Sequence, residues 1–503
     1  MLIPVIGLEI HLQLKTASKM FCACPAHEGG VTPNTNVCAI CLGNPGTLPV
    51  PNEQAVRLGV LMGLALNCSI AQHSKFDRKN YFYPDSPKAY QISQFDVPIA
   101  SNGYLDVEIP DSERPFVRFG ITRAHLEEDA GKNTHGGTDG KTLVDFNRCG
   151  TPLVEIVTEP DFKNAKEAKV FLQELQRIAR YLDVSNADME KGNMRCDANI
   201  SLREIDADGQ IIGARFNPKT EIKNLNSFRH VERALEFEIA RQTSLWEAGT
   251  PVTVSTTRGW NDEKGVTELQ RSKEDAADYR YFPEPDIPPL SLSALAEELK
   301  QRMPELPAAR RARFVEEYGL KPADAAQICD DPVLADFTEH TFSELQTWIS
   351  SEQNDFDWET EKPKMARLVA GWLLSKLGGL MMERSIDIRI CKISPENFAE
   401  FIALIATGKL NGTSGLKVLD AMLDDGADPS HLMEDLKLGT MEDAGALADI
   451  IDRALASNPE EVLRYKAGEE KLLPFFVGLV MKETHGTADP GVTRNMLIVK
   501  LQE

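Results

Sequence analysis

The stretch Val5-Ile6-Gly7-Leu8-Glu9-Ile10-His11-Leu12-Gln13-Leu14 decides how the chain is read: its even positions are all apolar, and Glu9, His11 and Gln13 fall on odd ones. Strict alternation predicts a strand with one buried face and sets Glu9 and His11 side by side on the other. Residues two apart on a strand stand about 7 Å from each other, so a carboxylate and an imidazole there can share one metal ion. Read alone, the segment is first of all a surface strand with two unrelated polar side chains. What lies further along changes that reading.

The chain has 503 residues, more than one core usually serves, so about two to four domains are expected. Apolar residues make up 42% and charged residues 26%, as in ordinary soluble globular proteins. No apolar run reaches membrane-spanning length, and the strand pattern begins too early for a leader to precede it, so no membrane association and a cytoplasmic location are expected. Nine cysteines spread unevenly do not suggest a disulfide framework. A net charge of -22 excludes a general polyanion binder; nucleic acid would have to be held by local basic patches.

Cys22-x-Cys24 and Cys38-x-x-Cys41 are separated by thirteen residues that include Pro25, Gly29, Gly30 and Pro33. Two thiolate pairs on turn-forming backbone suit a tetrahedral structural Zn²⁺, which would staple an otherwise loose loop. Four thiolates leave no open position, which disfavours a catalytic zinc; His27 is a possible substitute ligand.

Several later segments repeat the opening pattern. Residues 117–129 run as a strand into an acidic knot, His125, Glu127, Glu128 and Asp129, whose carboxylates repel one another unless a cation relieves them. Residues 143–160 carry Asp145, Asn147 and Arg148, then a strand-like Pro-Leu-Val-Glu-Ile-Val. In 194–203, Met194, Cys196, Ala198, Ile200 and Leu202 alternate with Arg195, Asp197, Asn199, Ser201 and Arg203; Thr220–Phe228 adds Glu221, Lys223 and Asn224. Strands that each present acid, amide and base on one face predict a curved, mostly antiparallel sheet lining a polar cleft, fit for a hard divalent cation with phosphate ligands. The segment from Lys75, with Arg78, Lys79 and Lys88 among hydroxyls and amides, can cradle phosphates but lacks a glycine-rich loop. Apolar spacing of three and four predicts scaffold helices over 164–182 and 228–247.

The segments 7–11 (GLEIH), 75–85 (KFDRKNYFYPD), 125–132 (HLEEDAGK), 194–203 (MRCDANISLR), 222–228 (IKNLNSF) and 278–286 (DYRYFPEPD) together resemble the B subunit family of the heterotrimeric, glutamine-dependent aspartyl/glutamyl-tRNA(Asn/Gln) amidotransferases. The resemblance implies an ATP-dependent carbon-nitrogen ligase that phosphorylates the side-chain carboxylate of Glu-tRNA(Gln) or Asp-tRNA(Asn) with ATP and Mg²⁺ and amidates it with ammonia from an A subunit. Carried onto this chain, it marks His11 with Glu127 or Glu128 as Mg²⁺ ligands and Glu9 and Asp197 as lining the same site. Lys79, Tyr81, Ser86, Lys88, Arg148, Asn199 and Lys223 become candidates for phosphate and acyl-substrate contacts. No Ser-Ser-Lys amidase signature is present, so A and small C partner subunits and a mischarged tRNA are expected.

The implied architecture is α+β: a cradle domain over 1–292 with its zinc insert at about 20–42, a helical domain over 293–425 and a helical tail resembling small YqeY-type proteins over 426–503. Arg310, Arg311 and Arg313 form a candidate basic patch, and 344–364, with its acids and two tryptophans, looks like an insertion. The stretch 441–503 holds seven Lys/Arg against eleven Asp/Glu, so tRNA binding there would rest on a few bases such as Lys466, Lys471 and Lys482. Pro474 is expected to break or shift a helix. The competing readings are an archaeal E-type paralogue, disfavoured because no large inserted domain interrupts the chain, and a non-catalytic tRNA-binding scaffold, disfavoured because His11, Lys79, Glu127, Glu128 and Asp197 are intact.

Overall fold

The structure, a computed structural model, describes every residue except 27–30, 136–139, 209–211, 213–216, 274–277, 353–356, 440–443, 485–486 and 503. Two compact units emerge, Met1–Leu306 and Pro307–Glu503. In chain order the first unit contains strands β1 (Leu2–Gln13), β2 (Ser69–Ile70), β3 (His73–Ser74), β4 (Asp77–Asn80), β5 (Tyr90–Ser93), β6 (Ala100–Glu108), β7 (Phe116–Glu128) and β8 (Lys132–Thr134). These are followed by β9 (Leu143–Asp145), β10 (Pro152–Thr158), β11 (Met194–Glu204), β12 (Thr220–Leu225), β13 (Ser255–Asn261), β14 (Val266–Lys273), β15 (Phe282–Pro283) and β16 (Leu290–Ser291). Nine of them form one sheet in the order β14-β13-β12-β11-β1-β10-β7-β6-β2, antiparallel except for the β12–β13 pair.

β1 lies at the centre of that sheet, and its alternation is the reason. Ile6, Leu8, Ile10 and Leu12 are at most 1% exposed, and each such burial stabilises the fold by roughly 1.5–3 kcal/mol. Their face packs with helices α1 (Glu53–Ala65), α2 (Ala165–Tyr181) and α3 (Phe228–Glu247) in one core. Each helix starts at a side-chain cap: Asn52 accepts from the Ala55 N–H, Asn164 from Glu167 and Ser227 from His230. α1 lies close against the sheet because Gly59 leaves room for Leu126, whose side chain a Cβ there would meet at 2.7 Å. The opposite face of the sheet is left polar, and a three-stranded sheet in the order β15-β4-β5 packs beside β7.

A fourth helix, α4 (Ser293–Gln301), lies beyond the expected domain boundary at residue 292 yet belongs to the first unit. Leu292 and Leu299 join the sheet's core, and Arg57 of α1 donates to Glu298 of α4 at 2.8 Å. The second unit is helical and has two cores. One is built around Phe314, Phe342, Phe398 and Phe401 and extends to Leu438; the other contains Leu447, Ile451, Phe476, Val480 and Leu497.

Two expectations for the second unit change, and the stretch read as an insertion is placed within helices. Arg310 donates to Asp336 at 2.6 Å and Glu339 at 2.7 Å, and Arg313 to Glu339 at 2.6 Å, so these two arginines tie the helix Pro307–Tyr318 to Pro332–Glu352 instead of forming an open basic patch. Pro474 sits at the second position of the helix Leu473–Glu483, where a missing N–H has no cost, so it starts the helix rather than breaking it. The stretch 344–364 covers the end of Pro332–Glu352 and the start of the helix Trp358–Gly371, with 353–356 outside the described residues. No helix among the described residues is long and apolar enough to cross a membrane.

A candidate metal centre on the polar face of the sheet

Cross-strand register builds the site. His125 on β7 pairs with Glu155 on β10, Glu155 with His11 on β1, and His11 with Arg195 on β11, which lays four polar side chains in one row across four strands. Glu127 stands two residues from His125, on the same face. His11 Nε2 lies 3.3 Å from Glu127 Oε1 and 3.3 Å from Glu155 Oε2, while His125 Nε2 lies 3.8 Å and 3.4 Å from the same two carboxylates.

Ligand atoms of His11, Glu127 and Glu155 all lie within 4.8 Å of one another. An octahedral Mg²⁺ with ligands at about 2.1 Å has neighbouring ligands about 3 Å apart, so the three could grip one divalent ion and leave positions open. The electrostatics agree. Burial alone would lower the His11 pKa, but hydrogen bonds and charge from Glu127 and Glu155 outweigh it and hold the imidazole well above its usual range. Burial pushes the Glu127 carboxyl up, yet His11 and His125 hold it down at about 2. Glu155 is likewise held well below the carboxylate range by the two histidines against burial. The cluster is a buried pair of anions already balanced by positive charge.

Lys79, on β4, reaches toward these acids from the three-stranded sheet. Burial disfavours its charge, but Glu127, Tyr281 and Glu155 reverse that and keep the ammonium protonated. Tyr81 follows; burial and the charges of Asp85 and Glu127 push its phenol up to about 12. On the next rung of the large sheet Glu9 pairs with Asp197. Asn199 donates to Glu9 at 2.9 Å, and the Lys223 ammonium lies 2.6 Å from Asp197 and 3.3 Å from Glu221.

The remaining expected contacts are engaged elsewhere. Glu128 is one residue from Glu127 and so points to the other side of β7, where it accepts from the Lys88 ammonium and, at 3.0 Å, from the Ile92 N–H. Glu128 and Lys88 therefore satisfy each other away from His11. Arg148 donates to the Ala130 and Gly131 carbonyls at 3.1 and 2.7 Å and pairs with Asp129 at 3.3 Å, which holds the turn after β7. Ser86 donates to the carbonyl of Tyr90, the first residue of β5, at 3.4 Å. The acidic knot is thus relieved by three kinds of cation: histidines at Glu127, Lys88 at Glu128, and Arg148 with Arg195 at Asp129, the last bonded at 3.1 Å.

Sequence reasoning passed over Glu155 and gave His125 no role. A lone acid interrupting the apolar run Leu153–Val157 was the available signal for Glu155; its pairing with His11, over a hundred residues away, was not.

The four cysteines of the insert also converge. All are free thiols, their sulfurs lie within 4.8 Å of one another, and Cys38 Sγ and Cys41 Sγ are 3.8 Å apart. A tetrahedral Zn²⁺ with Zn–S bonds of about 2.3 Å has edges of about 3.8 Å, so the donor set fits. A hydrogen bond from Cys22 and the charge of Lys19 draw the Cys41 thiol down to about 5 against the cost of burial. Lys19 is fully buried, and its ammonium lies 3.9 Å from Cys41 Sγ. His27 lies outside the described residues.

His11, Glu127 and Glu155, on the polar face of the nine-stranded sheet, lie within residues 4–297, which match the family model described as GatB/GatE catalytic domain. Residues 355–501 match a second, described as GatB domain. The chain belongs to the B subunit family of aspartyl/glutamyl-tRNA(Asn/Gln) amidotransferases. It is 45% identical to the family member of Brevibacillus brevis over 98% of this chain and 97% of that one. It is 45% identical to that of Acaryochloris marina, over 99% and 97% of the two chains, and 44% identical to that of Thermotoga maritima, over 99% of each.

Proposed function

We propose that the chain is the subunit of a glutamine-dependent amidotransferase that activates the side-chain carboxylate of glutamate or aspartate carried on tRNA(Gln) or tRNA(Asn). The observation that supports this chemistry is the meeting of His11 with Glu127 and Glu155, at 3.3 Å each, beside the charged Lys79. Bound there, Mg²⁺ would draw phosphate oxygens of ATP into line and neutralise the charge that spreads over the migrating group. Lys79 would stabilise that charge, and the Tyr81 hydroxyl, protonated at neutral pH, would be a hydrogen-bond donor to it. Glu9, Asp197, Asn199 and Lys223 hold the aminoacyl end one rung away.

In the reaction a substrate carboxylate oxygen attacks the γ-phosphorus and the bond to ADP breaks. Ammonia then attacks the acyl carbon, phosphate leaves and the nitrogen sheds a proton. A glutaminase-bearing A subunit supplies the ammonia and a small C subunit completes the heterotrimer; water must be kept from the acyl phosphate. Cys22, Cys24, Cys38 and Cys41 hold a structural Zn²⁺. The test mixes the protein and its A and C partners with Glu-tRNA(Gln), Asp-tRNA(Asn), ATP, Mg²⁺ and glutamine. His11→Ala should lose amide product while still binding tRNA; unchanged turnover would remove His11 from the mechanism.

A further inference from the structure

Beside the candidate centre, the segments that flank the strands of the three-stranded sheet carry a cluster of aromatic rings, of which the chemistry above uses only Tyr81. Phe95 and Tyr281 are stacked, with centroids 4.2 Å apart and planes 10° from parallel. Tyr279 meets Tyr281 edge-on at 6.2 Å and Tyr81 at 6.4 Å, and the Lys79 ammonium lies 5.1 Å from the Tyr279 ring. Phe95 is 57% exposed and Phe282 44% exposed. Leaving such rings in water forfeits the burial that aromatic side chains ordinarily supply, which calls for a partner.

The backbone is built to hold them there. Asn80, directly after Lys79, donates through its N–H to the Tyr279 carbonyl at 3.0 Å and through its side chain to the Arg280 carbonyl at 2.7 Å. Arg280 sits between the two tyrosines at φ +46°, a left-handed conformation that costs a non-glycine residue about 1–2 kcal/mol and persists only where the surroundings impose it. Arg123 adds charge. It lies on β7 on the same face as His125 and Glu127, enters no ion pair among the described residues, and its charge reaches the Tyr281 hydroxyl.

We propose that Phe95 and Tyr281 form a stacking platform for an unpaired nucleobase, that of the 3′-terminal adenosine of the aminoacyl-tRNA, with Arg123 placed for a backbone phosphate. Such an arrangement delivers the terminal ribose and its aminoacyl ester toward Lys79 and His11. The same rings could face the adenine of ATP. Small-ligand sites ordinarily bury most of their ligand, however, whereas this platform stands open to solvent, as suits the end of a long strand lying across it. The assignment rests on the amidotransferase reading.

The test uses the reconstituted complex and tRNA whose terminal adenine is replaced by 2-aminopurine, a base that loses fluorescence when stacked. Wild-type protein should quench the probe. Tyr281→Leu and Phe95→Ala should abolish the quenching, Tyr281→Phe should preserve it, and thermal melting checks that each variant is folded. In turnover, the two ring-deleting variants should raise KM for aminoacyl-tRNA roughly five- to 150-fold, the span of one lost base stack, with KM for ATP unchanged. Quenching that survives both substitutions would overturn the proposal, as would a rise in KM confined to ATP. Amide formation by the wild type reports separately on the amidotransferase reading, because the fluorescence requires no turnover.

Discussion

His11 and Glu155 are direct cross-strand partners on β1 and β10, and their side chains meet at 3.3 Å. The contact lets two stretches of chain over a hundred residues apart act as one donor set, with Glu127 entering from β7 as the third member. Position is therefore fixed by hydrogen-bonded backbone in the middle of a large sheet, which holds ligands more firmly than loops do.

Glu155→Gln keeps the shape and removes the charge. Isothermal titration with Mg²⁺ or Mn²⁺ should show affinity falling at least about tenfold, and ATP-dependent amide formation should fall with it, while circular dichroism stays that of the wild type. The same substitution at Glu128, which faces Lys88, should leave metal affinity unchanged.

Metal binding should release a proton. Glu127 and Glu155 raise the His11 pKa in the metal-free protein, which favours the protonated imidazole, and that proton must leave for a metal to bind. Apparent affinity therefore rises with pH until the raised pKa is passed. For the metal-free fold the sign is opposite: the stability that His11 gains from its carboxylates is full below its unfolded pKa and is lost as pH rises through the folded one. Titrations in buffers of different ionisation enthalpy measure the proton count directly.

The alternation of β1 was legible because one face of a central strand is buried outright and period two then leaves no choice of side. The choice between Glu127 and Glu128 stayed open in the sequence; the structure decides it, because Leu126 is fully buried and its neighbours 125 and 127 therefore face the polar side. The engagement of Lys88, Arg148 and Arg310 with acids and carbonyls distant in sequence was not legible, since a cation's partner depends on strand order and helix packing that local pattern does not encode. The scaffold helices could be read nearly to the residue, because apolar residues at spacings of three and four mark the face each one buries.

Zinc should be found at one ion per chain. Cys41→Ser or prolonged chelation should lower the melting temperature of the first unit, because the insert between Phe21 and Asn52 has little apolar burial of its own. Colorimetric zinc release on thiol modification measures the stoichiometry, and the melting curve measures the consequence.

Arg310→Ala should destabilise the helical unit by about 1–3 kcal/mol. Its side chain is only 10% exposed, while its partners Asp336 and Glu339, at 58% and 30%, are partly relieved by water. Urea unfolding should show the loss, and affinity for tRNA should be unchanged at temperatures where the variant is folded.

The central claim is that one divalent ion is gripped by His11, Glu127 and Glu155. Crystals grown with Mn²⁺ and a non-hydrolysable ATP analogue test it through the metal's anomalous scattering. The account predicts a peak about 2.2 Å from His11 Nε2 and from an oxygen of each carboxylate, with phosphate oxygens completing the shell. A fully occupied peak elsewhere, with these three side chains still bonded only to one another, would contradict it.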